Sequence, residues 1–126
     1  MKGVWISLCI VAIMVGGSVL YTKHIDKVSY ELGEMNDRVM ESLEDKEYDE
    51  AANEARKLAE YLAQKRTVLD ATGNHEELNK IEMSVSEMTG YIEGEQCIDA
   101  ISKCMVLDFM FSHLPRNYKL KLENIL

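Results

Sequence analysis

The chain has 126 residues, of which 47% are apolar and only one is proline, and it carries a formal net charge of −8. That length holds one domain at most once an anchor is set aside, and the apolar share excludes a disordered or loop-rich chain. Outside residues 1–23, 12 basic groups face 22 acidic ones, a field that repels phosphate and excludes nucleic acid as a partner.

The first element is Val4–Tyr21, a run of 18 residues without a charge. As a helix it spans about 27 Å, enough to cross the hydrocarbon core of a bilayer. Trp5 and Tyr21 stand near its two ends, where amphipathic rings favour the interface. No small-x-small cleavage site follows the run and no lipobox cysteine is present, so an uncleaved anchor over 1–23 is expected rather than a signal peptide. Ala12 and Gly16 form a small-xxx-small pair that lets another helix approach closely in lipid. The short N-terminal tail points to an N-inside, domain-outside orientation. Lys23, Lys27 and Arg38 after the span, against Lys2 before it, pull the other way under the positive-inside rule.

Beyond the anchor, Ile25, Val28, Leu32, Met35, Val39 and Leu43 recur at helical steps, and nothing at 21–24 breaks the chain, so one rod is expected to run out of the membrane. Glu44-Asp45 offers a turn with Asp45 as N-cap of the next helix. A second helix follows with an alanine-rich face (Ala51, Ala52, Ala55, Ala59) and stops at Thr72-Gly73. Asn74 and Glu77 have the capping-box spacing, opening a third helix with the stripe Leu78, Ile81, Val85, Met88 and Ile92. Gly94 marks the next break.

The fourth helix is apolar on nearly every side from Cys104 to Phe111 except at Asp108, which predicts that it is the central, most buried one. Pro115 is expected to end it, and the apolar tail Tyr118–Leu126 to pack back on the bundle. The two turns echo each other weakly: Leu43-Glu44 before Asp49-Glu50-Ala51, and Ile92-Glu93 before Ile98-Asp99-Ala100. The fold expected is therefore all-α, a transmembrane helix followed over 24–126 by an antiparallel helical bundle. Tetratricopeptide-like stacking of two hairpins is the alternative arrangement.

Little in the sequence carries chemistry. His24, His75 and His113 have no second ligand at metal spacing, and His75-Glu76 lacks the partner histidine of a zinc-protease motif because Asn79 stands there. There is no phosphate loop, serine elbow or paired-cysteine zinc pattern. Cys97 and Cys104 lie seven apart on one helix, about 10 Å between Cα atoms, too far to bond. No cofactor or metal is expected, nor an enzyme. The residues able to converge on a bound ligand are Tyr91, Asp108 and His113.

The residues His75-Glu76-Glu77-Leu78, Ile81-Glu82, Ser84, Tyr91-Ile92, His113-Leu114-Pro115 and the closing Leu120, Leu122-Glu123-Asn124-Ile125-Leu126, taken with the N-terminal span, resemble a family of small bacterial proteins known as domain of unknown function 4363. The resemblance covers most of the chain and is more specific in the C-terminal half. It implies a single-pass membrane protein of the Firmicutes, many of them anaerobic spore formers, and an association with YetF-like membrane proteins. Family members tend to carry tryptophans in the second helix, where this chain has Tyr48 and Tyr61; its one Trp is in the anchor. The family has no established activity, so the resemblance informs fold and location more than mechanism.

The function expected is that of a non-enzymatic accessory or scaffold protein of the cell membrane. Its bundle, on the extracytoplasmic side, would contact a membrane-protein partner or a second copy. A sensor module binding a small ligand or peptide between its helices is the alternative. The scaffold reading predicts a contiguous exposed apolar or acidic patch, and the sensor reading a pocket with converging polar groups.

Overall fold

A computed structural model describes the backbone of residues 1–71 and 75–125, and the side chains of 1–71 and 75–116. Four helices follow one another: α1 (Lys2–Glu44), α2 (Tyr48–Asp70), α3 (His75–Glu93) and α4 (Cys97–Ile125). No strand occurs among the described residues. Helix α1 is one unbroken rod of 43 residues, because neither proline nor a turn signal interrupts it between the anchor and Glu44. Its N-terminal part holds an 18-residue window of mean hydropathy 2.2, none of it covered by the rest of the chain. By length and composition this helix can cross a membrane.

Packing begins at Tyr21, whose hydroxyl donates to the Val68 carbonyl at the end of α2, 2.9 Å away. The ring expected at the lipid interface is thus also the first tie between anchor and bundle. Helix α1 packs against α2 and α4, and α3 packs against the same two. The short turns make each neighbour antiparallel, so the helices close into an up-down bundle. A tetratricopeptide-like stack would instead lay α1 against α3; here α1 closes on α4. The core is built from one stripe per helix: Ile25, Leu32 and Val39 of α1 meet Leu58 and Leu62 of α2, Ile81 and Met88 of α3, and Leu107 and Phe111 of α4.

The sequence echo corresponds to a repeated turn. After α1, Lys46 N–H bonds to Leu43 O (3.0 Å) and Glu47 N–H to Ser42 O (2.9 Å). After α3, Glu95 N–H bonds to Ile92 O (3.0 Å) and Gln96 N–H to Tyr91 O (2.8 Å). Both are Schellman caps, and in both the left-handed residue is not glycine: Lys46 and Glu95 each have φ 56°. Gly94 sits one position earlier, so its place at the break does not reflect a need for positive φ. Asp45 is the C-cap of α1 rather than the N-cap of α2, a position held by Glu47 without a side-chain cap bond. The reason is that the Schellman turn consumes Asp45 and Lys46 before the next helix can start. Thr72, Gly73 and Asn74, and the capping box expected there, lie outside the described residues.

Two expectations for α4 are corrected. Pro115 does not end the helix, which runs through it to Ile125. Proline removes one N–H, and the carbonyl that loses its donor, that of Phe111, accepts a hydrogen bond from the Ser29 hydroxyl of α1 instead. The backbone after Pro115 therefore continues as helix to Ile125; the side chains of the tail from Tyr118 on, and whether they pack on the bundle, lie outside those described. Nor is α4 the most buried helix. It sends Ala100, Cys104, Leu107, Phe111 and Leu114 inward but leaves Ile98, Met105, Val106 and Phe109 on the surface, because two neighbours cover only part of a helix that is apolar all round.

Candidate functional site

Among the described residues, three side-chain-to-carbonyl bonds join α1 to α4 at seven-residue steps along both helices. Ser29 donates to Phe111 O, Asn36 Nδ2 to Cys104 O at 2.7 Å, and Cys97 Sγ to Leu43 O at 3.2 Å. A seven-residue step returns to the same helix face, so the ladder fixes the register of α4 against α1 and with it the surface that α4 turns outward. Asn36 is fully buried and its Oδ1 has no partner, a cost accepted at one rung of that ladder.

The outward surface of α4 is a stripe. Ile98, Ser102, Met105, Phe109 and Ser112 follow one another at alternating steps of four and three, the spacing of a helix–helix seam. Ile98 is 81% exposed, Met105 63% and Phe109 64%, with Val106 at their side. The Phe109 ring stacks on His113 at 4.1 Å, and His113 Nδ1 donates to the Phe109 carbonyl at 2.9 Å, since a carbonyl can only accept. At the edge of this stripe facing α1 stands Asp108, near Asp37 of α1: the Asp37 carboxyl is pushed above its ordinary pKa by burial, then by Asp108 and Glu34.

A second surface lies along the α2–α3 seam. Ala59 and Ala63 of α2 face Ser86 and Gly90 of α3, and these small residues leave an open groove of about 450 Å³ along the seam. Its floor is Leu62 and Val85, with Glu82, Thr89 and Glu93 at the rim. Two of these polar groups are already engaged: Glu82 pairs with Arg66, and the Thr89 hydroxyl donates to Val85 O at 2.9 Å.

The structure does not gather Tyr91, Asp108 and His113 around one cavity. Tyr91 is half-buried on α3 near Lys103, Asp108 is exposed on the α1 side of α4, and His113 is half-buried beside Phe109. Asp108 and His113 instead flank the apolar stripe on its two edges. Ala12 and Gly16 both lie on the uncovered part of α1, with nothing within 4 Å of where a Cβ at Gly16 would sit. Cys104 is fully buried, its Sγ 3.4 Å from Met88 Sδ, and its thiol is pushed up to about 12, first by burial and then by Asp37. That suits a packing residue, not a nucleophile. Among the described residues no group of three or more His, Cys, Asp or Glu is placed to hold a metal ion.

Sequence reasoning missed the exposed stripe because apolar residues on every side of α4 suggested burial on every side. The alternating steps from Ile98 to Ser112, superimposed on the core stripe Ala100 to Leu114, were the available signal of a helix with two apolar faces.

The family model described as a domain of unknown function, DUF4363, matches residues 19–125, and the chain belongs to that family. No curated protein and no solved structure matches it.

Proposed function

We propose that this DUF4363 member is a membrane-anchored docking module, a non-enzymatic accessory or scaffold protein whose outer α4 face binds a protein in the same membrane. The observation that carries the reading is the contiguous row of Ile98, Met105 and Phe109, all more than half exposed. A row of large apolar side chains on the surface of a small domain marks an interaction site. The apolar start of α1 anchors the chain, and because α1 continues unbroken into the bundle, the α4 face is held at a fixed height and angle to the bilayer. The turn end is acidic, six acids against one lysine over residues 41–50. We place the bundle on the extracytoplasmic side of the cell membrane.

In-cell crosslinking of the tagged full-length protein, followed by purification in mild detergent, tests this reading. A reproducible protein adduct that is lost with Phe109→Asp and Met105→Asp supports it. Recovery of uncrosslinked monomer alone contradicts it.

A second reading, a sensor taking a ligand between its helices, draws on the α2–α3 groove. Its apolar floor with a carboxylate at each end, Glu82 and Glu93, suits an elongated apolar molecule better than a polar one. Ligand-induced protection of Thr89 and its neighbours from hydrogen exchange would favour this reading over docking.

A further inference from the structure

We propose that the C-terminal end of α4 is a second membrane-contacting element, dipping beside α1 into the leaflet on the bundle side of the bilayer; the inference rests on the anchor reading above. The register ladder carries it. Ser29, Asn36 and Leu43 of α1 stand opposite Phe111, Cys104 and Cys97 of α4. Each residue towards the N-terminus of α1 is therefore matched by one residue towards the C-terminus of α4. Both helices continue in that direction, α1 to Lys2 and α4 to Ile125. At the same rise per residue, the backbone of residue 119 comes level with Tyr21 and that of residue 125 with Val15. Val4–Tyr21 is the uncharged run read as crossing the bilayer, so the end of α4 reaches about 9 Å below its edge. Helix α2 stops short by comparison, ending at Asp70, two residues past the carbonyl that the Tyr21 hydroxyl reaches.

The sequence at the end of α4 suits that level. Tyr118, Leu120, Leu122 and Ile125 stand among Lys119 and Lys121, the mixture of apolar and basic residues that settles at the boundary between acyl chains and head groups. Over 116–125 three bases face one acid, in a chain of net charge −8, so the acidic character of the bundle gives way where head-group phosphates would lie. The acid is Glu123, level with Gly17. A carboxylate so near the edge of the hydrocarbon core costs little, where one at its centre would be expensive. A single span leaves the bundle free to turn about its anchor. A second contact on the α4 side removes that freedom and sets which face of the bundle looks along the membrane.

The test places an environment-sensitive fluorophore on Val15→Cys, Ile125→Cys, Leu120→Cys and Ile98→Cys in turn, in the Cys9→Ser, Cys97→Ser background with Cys104 left buried. Full-length protein is reconstituted into phosphatidylcholine vesicles with and without brominated acyl chains. Val15 and Ile125, being level, are expected to lose emission to the same extent when bromines are present. Leu120, level with Leu20, is quenched by bromines nearer the head groups, and Ile98, at the far end of α4, is not quenched. Quenching at Val15 with none at Ile125 or Leu120 overturns the proposal while the anchor stands. Quenching at Ile98 equal to that at Ile125 overturns it as well, since the bundle would then lie flat on the bilayer. Absence of quenching at Val15 overturns the anchor reading and this inference with it.

Discussion

The Ser29 hydroxyl of α1 donates to the main-chain carbonyl of Phe111 in α4, the one acceptor that Pro115 deprives of its intrahelical donor. A proline that would break an isolated helix is thereby absorbed by a neighbour. Ser29→Ala leaves that buried carbonyl unpaired and is expected to cost about 1–3 kcal/mol. Pro115→Ala returns the N–H, so in that background the Ser29→Ala cost falls to well under half. Urea unfolding of the four chains of this double-mutant cycle in detergent measures the coupling; equal costs in both backgrounds would show that Ser29 and Pro115 are independent.

The left-handed positions Lys46 and Glu95, both at φ 56°, are the natural places for glycine. Lys46→Gly and Glu95→Gly are each expected to stabilise the bundle by roughly 0.5–1 kcal/mol, the relief of Cβ crowding minus the added freedom of the unfolded chain. Gly94→Ala is expected to be near neutral or mildly stabilising, since a Cβ there meets Gly90 O at an ordinary 3.5 Å. Thermal unfolding distinguishes the sites; a large loss on Gly94→Ala would place the strained residue one position earlier than the structure does.

Asp37 supplies a pH dependence with a definite sign. Burial first, then Asp108 and Glu34, raise its folded pKa above the ordinary 3.8, so folding disfavours the charged form. Stability from this group is present below pH 3.8 and is lost as pH rises from there through the folded pKa. Asp37→Asn should therefore stabilise the protein at pH 7, with a gain that shrinks to nothing on acidification below about pH 3.8. A gain independent of pH would assign the effect to packing instead.

The thiols should separate in reactivity. Cys104, pushed up to about 12 and fully buried, is expected to resist maleimide until the bundle unfolds, while half-buried Cys97 reacts in the folded protein. Mass spectrometry of a labelling time course reads both. Labelling of Cys104 ahead of global unfolding would reveal local opening of the α1–α4 seam.

The stripe Ile25 to Leu43, the heptad run Leu78 to Ile92 and the unbroken passage from anchor to bundle were legible in the sequence, since each is a single period carried by apolar residues. The turn positions were legible too, through the echo of Leu43-Glu44 in Ile92-Glu93. What escaped was set by tertiary partners. Ser29 and Asn36 are polar residues inside an apolar face, and periodicity alone assigns them no role until α4 carbonyls stand opposite. Pro115 reads as a stop unless a donor waits across the seam. The second apolar face of α4 was visible as composition but not as surface, because only the closure of the bundle decides which face is covered.

Cysteine accessibility in the native membrane tests most directly whether the α4 face is a covered docking surface. Met105 on α4 and Met83 on α3 are matched in the single chain, 63% and 64% exposed, and both are methionines on outward helix faces. In the Cys9→Ser, Cys97→Ser background, Met105→Cys is expected to react with a membrane-impermeant maleimide markedly more slowly than Met83→Cys, and the rates to converge once the protein is dispersed as a monomer. Equal rates in the membrane would contradict the account, leaving the Ile98–Phe109 row a bare surface without a partner.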